Sequence, residues 1–456
     1  MRDHRAHRPT HRPTRSPLPK QMNVLFAVPW DNIGGVSHVV NRVAHHVRAQ
    51  GGGVYFLLPG SHDRPESGVS REGFPAFWLR MRLPWVPGAS LRNWLAFFLT
   101  LPVTLFWLTR LIRRHSIDVV NIHYPGGHFV YFAILRRFGV VRLVTSIHGA
   151  DLLPNGSRRL SHQREVLNLL ATSDVIVAPS DSYTHAVHEA WPELTGPTRT
   201  IPNGVDPDEL GYNPDAPDET AHPPIVFSIL QMVHYKGVDV LIRAFAGLSA
   251  RYPKVKLRLA SDGPQRADFE ALAESLGVGH RVEFLGFLAR EDVSRELRRC
   301  SIFVLPSRTN SESFGIAAAE AMAVDRAVVA SRVGGLPELV EDGVTGLLVP
   351  PGDVDALEQA LRRLLDDEEF GQRLGQAAGK RVRQQYLWDR TGALYRDLFQ
   401  ELLPVPEASE PDTRGFAVPE HATTYRPPAA ADRAERPADT YTAAPLTKAG
   451  TSQEGW

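Results

Sequence analysis

Short apolar runs recur along the chain, and each is followed by a loop and then by residues with helical spacing. Runs of this kind, rich in Val, Ile, Leu and Phe, are typical of strands buried on both faces of a parallel sheet. The predicted strands of the first half are Asn23–Val28, Val54–Leu58, Val119–Ile122, Arg142–Ile147, Val175–Ala178 and Thr200–Ile201. Those of the second half are Ile225–Leu230, Lys256–Ala260, Val282–Leu285, Ile302–Leu305 and Ala327–Ala330. The alternation predicts an α/β protein with two Rossmann-like, doubly wound domains that face a central cleft.

Changes in composition set the predicted boundaries of these domains. A stretch dense in Pro and Asp separates the two series of strands and indicates a linker. Both ends of the chain lack apolar periodicity, so we expect them to be disordered. The predicted segments are an arm at 1–21, a domain at 22–206, a linker at 207–224, a domain at 225–384, a helix at 385–403 that packs back on the first domain, and a tail at 404–456.

The stretch Phe303–Ala323 combines a strand, a polar loop and the start of a helix. A helix N-terminus favours an anion because its first amides have no partner within the helix, and Gly315 lets a phosphate approach closely. Two carboxylates frame the turn, Glu312 in the loop and Glu320 in the helix. They are placed to accept hydrogen bonds from a sugar on one side of the phosphate and a ribose on the other. For an isolated pair of glutamates the alternative is that neither binds a ligand, with Glu312 solvated in its loop and Glu320 on the helix surface.

Polar residues also follow strands of the first domain. Gly34 and Gly35 come after the first strand, at the edge where open α/β sheets bind ligands, but the spacing of a dinucleotide fingerprint is missing. His148 and Asp151 follow the fourth strand, and we expect His148 to face the cleft. For Asp151 two roles stay open, orienting the loop of His148 and binding an acceptor. For His123, at the end of a neighbouring strand, a packing role is favoured.

A long apolar and aromatic segment, Trp94–Leu108, is almost uncharged and is followed by three arginines. About 15 apolar residues fall short of the roughly 20 needed to span a bilayer. A core helix is the favoured interpretation, and a helix that also rests on an anionic membrane surface is the alternative. In that case, serine replacement of four aromatic residues lowers liposome binding; these are Phe97, Phe98, Phe106 and Trp107.

Charge and cysteine content exclude some classes of function. The 456 residues include 51 basic and 51 acidic side chains, so there is no global attraction to nucleic acid. The single cysteine, Cys300, excludes a disulfide framework and agrees with a reducing compartment. The first 20 residues lack the apolar core of a signal peptide, so we expect a cytoplasmic protein, with the inner face of the membrane as a second location.

In their order and setting these features resemble the retaining GT-B glycosyltransferases of family 4. The likeness covers about residues 22–400 and rests on four motifs: the pair Glu312…Glu320, Lys236-Gly237-Val238-Asp239, Gly334-Gly335-Leu336-Pro337-Glu338, and Glu341-Asp342-Gly343 with Gly346-Leu347-Leu348. The resemblance implies transfer of a sugar from a UDP- or GDP-sugar to a glycan, lipid-linked or small-molecule hydroxyl. It also implies that the nucleotide sugar is a co-substrate and that neither a metal nor another cofactor is needed.

The resemblance further implies a role for each matching residue. Glu312 would hold hydroxyls of the donor sugar, Lys236 would neutralise the departing diphosphate, and His148 would contact the reacting sugar; these three form the expected catalytic set. Donor contacts are expected from Gly34, Gly35, Gln231, Lys236, Gly263, Leu288, Phe314, Gly315, Ile316 and Glu320. Acceptor binding is assigned to Asp151.

One position departs from the family pattern. Gln231 stands where family members usually have an arginine, five residues before Lys236, and glutamine supplies neither the charge nor the bidentate fork. Either another arginine, such as Arg308 or Arg332, replaces it, or diphosphate binding is weaker. The substitution keeps a second function open, a non-catalytic subunit that binds a sugar nucleotide. A sugar-nucleotide epimerase is a further alternative.

Overall fold

The computed structural model describes residues 22–29, 35–83, 91–152, 163–215, 220 and 222–403. The predicted arm, the predicted tail, Gly34 and residues 216–219 and 221 of the predicted linker lie outside the described residues.

The first lobe is built on an eight-stranded sheet. Its strands are β1 (Asn23–Ala27), β2 (Gly53–Pro59), β3 (Glu66–Val69), β4 (Pro75–Leu79), β5 (Val119–His123), β6 (Arg142–Ser146), β7 (Val175–Ala178) and β8 (Thr198–Thr200). They lie in the order β3-β4-β2-β1-β5-β6-β7-β8, and only β3 runs antiparallel to its neighbour. The helices of this lobe are α1 (Gly35–Ala49), α2 (Leu91–Arg114), α3 (Val130–Arg137), α4 (Gln163–Thr172) and α5 (Asp181–Ala190). The α1 side chains pack on one face of the sheet, and those of α2 and α3 pack on the other.

The second lobe is built on a six-stranded parallel sheet. Its strands are β9 (Ile225–Ile229), β10 (Lys256–Ala260), β11 (Val282–Gly286), β12 (Ile302–Leu305), β13 (Ala327–Ser331) and β14 (Leu347–Val349), in the order β11-β10-β9-β12-β13-β14. Its helices, and the last helix of the described chain, are α6 (Val238–Leu248), α7 (Arg266–Ser275), α8 (Arg290–Arg299), α9 (Ile316–Ala323), α10 (Leu336–Leu339), α11 (Val354–Asp366), α12 (Glu368–Gln385) and α13 (Trp388–Glu401).

The chain crosses between the lobes twice, and the two crossings run side by side. The amide of Val205 donates to the carbonyl of Tyr386 at 2.8 Å, and the amide of Trp388 donates back to Val205. After the second crossing, α13 packs against α1, and Phe399 is fully buried in the core of the first lobe. Leu210, at the start of the predicted linker, is buried in the core of the second lobe. The beginning of the linker is therefore part of that lobe's packing.

The predicted α/β class with two parallel sheets is confirmed. Three strands were not predicted: β3 and β14, which lie at sheet edges, and β4, which lies between β3 and β2. β3 is a four-residue exposed edge strand without an apolar face, and β14 has only three residues. β4 begins at Pro75, a residue that disfavours strands. The grouping of Phe97 with the exposed aromatics of its helix is wrong: its side chain packs in the core of the first lobe and is 5% exposed.

Candidate active site

The turn that leads into α9 is held by packing on both sides. Gly315 has a φ of +91°, and a Cβ added there would lie 2.5 Å from Leu336 Cδ2, so only glycine fits. The preceding side chain, Phe314, is buried with its ring edge-on to Tyr386 at 5.6 Å. The side chain of Phe314 is therefore part of the core, so the predicted contact of this residue with a donor would have to come from its backbone.

Glu312 and Lys236 meet beside this turn although 76 positions separate them. Lys236 Nζ lies 2.7 Å from Glu312 Oε2, and Ser307 Oγ donates to the same oxygen at 2.8 Å. Burial lowers the pKa of Lys236, but attraction to Glu312 outweighs it, so that the pKa is raised overall. The ammonium group therefore stays charged at neutral pH, next to the N-terminus of α9.

Glu320, the second carboxylate of the predicted pair, lies within α9 and is buried. Its Oε1 accepts a hydrogen bond from Arg290 at 2.6 Å, and Arg290 also approaches Glu209 at 3.9 Å. Burial raises the pKa of Glu320, and the charge of Arg290 works against that rise. Sequence analysis did not identify Arg290, because it opens α8 in a separate strand–helix unit and no motif marks it.

In the first lobe His148 is held by a buried neutral network. His148 Nε2 lies 3.0 Å from His123 Nδ1, and His123 Nε2 lies 2.7 Å from Asn121 Oδ1. The amide nitrogen of Asn121 donates to Val144 O and to Ser146 Oγ, which leaves its oxygen facing His123. His123 Nε2 must then donate to that oxygen, so its Nδ1 accepts the proton of His148 Nε2.

The network keeps both rings uncharged. Burial lowers the pKa of His148 to about 4, and burial together with the neighbouring His148 holds the pKa of His123 well below its usual value. His123 was expected to have a packing role, and the structure shows that it fixes the orientation of His148 as well. The signal for this in the sequence is that both histidines end strands, β5 and its neighbour β6, that pair in the sheet.

Asp151 holds the backbone of the His148 loop. Its carboxylate accepts from the amides of His148 at 2.8 Å and Gly149 at 2.7 Å, and from the Tyr183 hydroxyl at 3.2 Å. Burial raises the pKa of Asp151 to about 6, and these hydrogen bonds oppose the rise. Of the two roles left open by the sequence, the geometry favours orienting the loop, because the carboxylate is 4% exposed and both oxygens have partners.

Hydrogen bonds join the His148 loop to the loop before α9. Ser313 Oγ donates to the carbonyl of His148, and Ser180 Oγ donates to the carbonyl of Ser313 at 2.7 Å. Gly149 has a φ of +140°, and a Cβ added there would lie 2.3 Å from the carbonyl oxygen of Ser311. The loop that carries His148 in the first lobe therefore contacts the loop that carries Glu312 in the second lobe.

Two helix N-termini, one from each lobe, converge at the same place. Gly35 is the first residue of α1, and a Cβ added to it would lie 4.0 Å from Ile316 Cδ1 in the first residue of α9. Each N-terminus carries a partial positive charge, so the arrangement favours an anion between the lobes.

Comparison with known proteins agrees with this geometry. A family model described as Glycosyltransferase Family 4 matches residues 33–209, and one described as Glycosyl transferases group 1 matches residues 213–381. The GDP-mannose-dependent alpha-(1-6)-phosphatidylinositol monomannoside mannosyltransferase of Mycolicibacterium smegmatis is 30% identical over 311 residues, which cover 65% of this chain and 80% of that protein. The chain belongs to the group 1 glycosyltransferases.

Other proteins similar to this glycosyltransferase have names that describe different reactions. The N-acetyl-alpha-D-glucosaminyl L-malate synthase of Bacillus anthracis is 28% identical over 65% of this chain and 78% of that protein. Among solved structures, HepE of Anabaena in complex with UDP-glucose superposes with a TM-score of 0.67 and 21% identity, over 84% of this chain and 100% of that one. This likeness confirms the GT-B fold.

In this glycosyltransferase, the contacts of Gln231 and of the two candidate arginines do not identify a substitute for the usual arginine. Gln231 is exposed, and its side-chain oxygen accepts from the Tyr235 hydroxyl at 3.2 Å. Arg308 is bound to Asp239 at 2.6 Å, and Arg332 is bound to Asp342 at 2.8 Å. Both arginines that the sequence analysis considered as substitutes are thus paired with carboxylates of their own lobe.

The remaining predicted donor contacts lie in the second lobe. The amide of Gly263 donates to Asp262 Oδ1 at 2.7 Å and is occupied in this state. Leu288 is half-buried against the core of the lobe, just beyond the end of β11. Within the described ranges, no group of three or more His, Cys, Asp or Glu side chains is arranged to hold a metal ion.

Proposed function

We propose that this glycosyltransferase moves a hexose from a UDP- or GDP-sugar to a saccharide, lipid-linked or small-molecule hydroxyl, with retention of anomeric configuration and without a metal ion. The observation that carries the proposal is the Lys236–Glu312 pair, at 2.7 Å, beside the converging N-termini of α1 and α9. A cation, a carboxylate and the N-terminal amides of two helices suit a ligand with a diphosphate and a sugar.

The charges match the demands of the bond cleavage. Breaking the bond between the anomeric carbon and the phosphate oxygen builds negative charge on the diphosphate and positive character on the sugar. Lys236 and the amides of the two helix N-termini would stabilise the first, and preorganised groups of this kind usually make the largest contribution to catalysis. Positive charge from these groups supports the proposal that no metal ion is required.

Retention is supported by how the carboxylates are used. Asp151 is bound to its own loop, Glu312 to Lys236, and Glu320 to Arg290. In the described part of the site this differs from the pair of free carboxyl groups that a glycosidase places across the bond. The acceptor oxygen would attack from the face that the diphosphate leaves. Its bond to the anomeric carbon would form as the bond between that carbon and the phosphate oxygen breaks. The acceptor proton would pass to an oxygen of the leaving phosphate.

The names of similar proteins support two donor classes. The Mycolicibacterium relative is described as dependent on GDP-mannose, and the Anabaena structure contains UDP-glucose. Both donors share a diphosphate and a ribose, and in this proposal Lys236 binds the diphosphate and Glu320 the ribose. The base and the hexose distinguish them.

A thermal-shift screen against UDP- and GDP-sugars, with EDTA or with Mg²⁺, tests the proposal. We expect one nucleotide class to raise the melting temperature, by the same amount in EDTA as in Mg²⁺. When an acceptor is added, NMR of the product should show the anomeric configuration of the donor. Stabilisation only with Mg²⁺ would contradict metal independence, and an inverted product would contradict retention. Stabilisation without turnover on any acceptor would favour the non-catalytic subunit that Gln231 keeps open.

A further inference from the structure

The helix α2 has apolar residues on both of its sides. It connects β4 to β5, and its inner side places Phe97, Leu108 and Ile112 in the core of the first lobe. Seven of the thirteen exposed large hydrophobic residues in the described part of the chain lie on this one helix. They are Leu91, Trp94, Leu95, Phe98, Leu99, Val103 and Phe106.

These exposed side chains form a continuous ridge. Leu91, Leu95, Phe98 and Phe106 are spaced by four, three and eight residues, so they lie along one face of the helix. They span roughly 22 Å at 1.5 Å per residue, and their side chains are 86%, 59%, 54% and 59% exposed. A surface helix normally turns polar residues to solvent, whereas the solvent-facing side of α2 is apolar.

Positive charge flanks the ridge. α2 contains no Asp or Glu, and its arginines, at position 92 in the first turn and at 110, 113 and 114 near the end, are exposed. Arg64, from the loop after β2, lies over the ring of Trp107 at 5.5 Å and adds a further charge beside the helix. An apolar ridge with basic ends and tryptophan near each end complements an anionic lipid surface.

The rest of the fold excludes a spanning orientation for this helix. α2 has 24 residues and a mean hydropathy of 1.8 over 18 of them, enough by length and composition to cross a bilayer. However, β4 and β5, on either side of it, belong to one sheet, and Leu108, Leu111 and Ile112 pack onto that sheet's core. The helix can therefore present one side to lipid while the other side remains in the protein.

We propose that α2 docks the glycosyltransferase on an anionic bilayer, with the helix axis parallel to the membrane and the ridge at the boundary between headgroups and acyl chains. The arginines bind lipid phosphates at the edges of the contact. This surface is separate from the nucleotide site, and docking is independent of the proposed reaction. It would bring a lipid-linked acceptor to the first lobe.

Vesicle flotation tests the docking surface without any nucleotide. We expect the full chain to bind phosphatidylglycerol vesicles and to bind phosphatidylcholine vesicles much more weakly, with an affinity for the anionic vesicles that falls as salt is added. The variant Leu95→Ser/Phe98→Ser/Leu99→Ser/Phe106→Ser should lose at least about tenfold in binding to phosphatidylglycerol vesicles, because each residue contributes apolar area to the contact.

A second variant and a control separate charge from apolar contact. Arg110→Gln/Arg113→Gln/Arg114→Gln should lower binding to anionic vesicles by about tenfold or more and leave the weak binding to neutral vesicles unchanged. The control Leu276→Ser/Val344→Ser removes two exposed apolar residues of the second lobe, 37% and 49% exposed, and should not change vesicle binding. Melting curves by circular dichroism should be the same for all variants within a few degrees.

Three results would overturn the proposal. Unchanged vesicle binding by the serine variant, or equal wild-type binding to neutral and anionic vesicles, would remove the anionic bilayer as the occupant of the ridge. A wild-type dimer in analytical ultracentrifugation that the serine variant converts to a monomer would assign the ridge to a second copy of the chain.

Discussion

The two lobes hold their candidate site residues in opposite ways. In the second lobe the residues are charged and paired, Lys236 with Glu312 and Arg290 with Glu320. In the first lobe His148 and His123 are buried and neutral, in a network of side chains and backbone. Charged pairs can exchange their partners for the phosphate and hydroxyls of a ligand, whereas a buried network keeps one geometry.

This difference suggests a division of work between the lobes. Changes in the second lobe should alter binding and departure of the charged nucleotide. Changes in the first lobe should alter the alignment of the reacting groups and leave nucleotide affinity almost the same. The first three predictions below test that division, and the fourth tests the neutral network of the first lobe.

Removal of the cation should have the largest effect. Lys236→Met is expected to lower kcat about 10²–10³-fold, the size typical for loss of one preorganised group that stabilises developing negative charge. Steady-state kinetics measure it. The matched control is Lys256→Met, which removes an exposed lysine 2.7 Å from Glu283 in the same lobe and should leave kcat unchanged. Equal kcat for wild type and Lys236→Met would remove Lys236 from the mechanism.

Glu320→Gln should weaken nucleotide binding. Loss of a charged acceptor is expected to raise Kd for the nucleotide by about 10–100-fold, since hydrogen bonds to charged groups are worth about 1.5–3 kcal/mol. Isothermal titration calorimetry measures the affinity, and thermal melting measures stability. Glu296→Gln is the control, because Glu296 is another buried glutamate of this lobe and is paired with Arg258. If both variants lose stability and neither loses affinity, Glu320 has only a structural role.

His123→Leu should misalign His148. It removes the group that accepts the Nε2 proton of His148, so a buried donor loses its partner. We expect kcat to fall by about tenfold, corresponding to roughly 1.4 kcal/mol, with Kd for the nucleotide unchanged. His123→Asn, which keeps a side-chain acceptor, should recover part of kcat. Nitrogen chemical shifts of His148 should show loss of a single Nε2-protonated tautomer in His123→Leu. Retention of that tautomer would contradict the assignment.

Acid should destabilise the first lobe through its histidines. Because burial lowers the pKa of His148 to about 4, its contribution to stability is complete above the unfolded value of 6.5 and is lost as the pH falls from 6.5 toward 4. Asp151, whose pKa is raised to about 6, partly opposes this loss between pH 6 and 3.8. We expect the melting temperature to fall by a few degrees between pH 7 and 5, and by less in His148→Gln/His123→Gln. An equal fall in both proteins would contradict this assignment of the loss.

The fold and much of the second-lobe site could be predicted because their signals are local. Strands such as Ile302–Leu305 are continuous apolar runs, and Glu312 and Glu320 lie on one strand–loop–helix unit. The meeting of Lys236 with Glu312 follows from the parallel sheet, since β9 and β12 are neighbours and both loops leave the same edge. The family resemblance then supplied the roles.

The first-lobe network and Arg290 could not be predicted from local pattern. The role of His123 depends on the rotamer of Asn121 and on the pairing of β5 with β6, which no short motif encodes. Arg290 reaches Glu320 from a different helix. Periodicity also failed for α2, because a helix that is apolar all round does not indicate which aromatic residues, such as Phe97 or Phe98, face the core.

The most direct test of the central claim is calorimetric titration of UDP and GDP into the wild type, Glu320→Gln and His123→Leu. We predict that one nucleotide binds the wild type, that Glu320→Gln binds it about 10–100-fold more weakly, and that His123→Leu binds it as the wild type does. Binding of neither nucleotide to the wild type, or an equal loss of affinity in both variants, would contradict it.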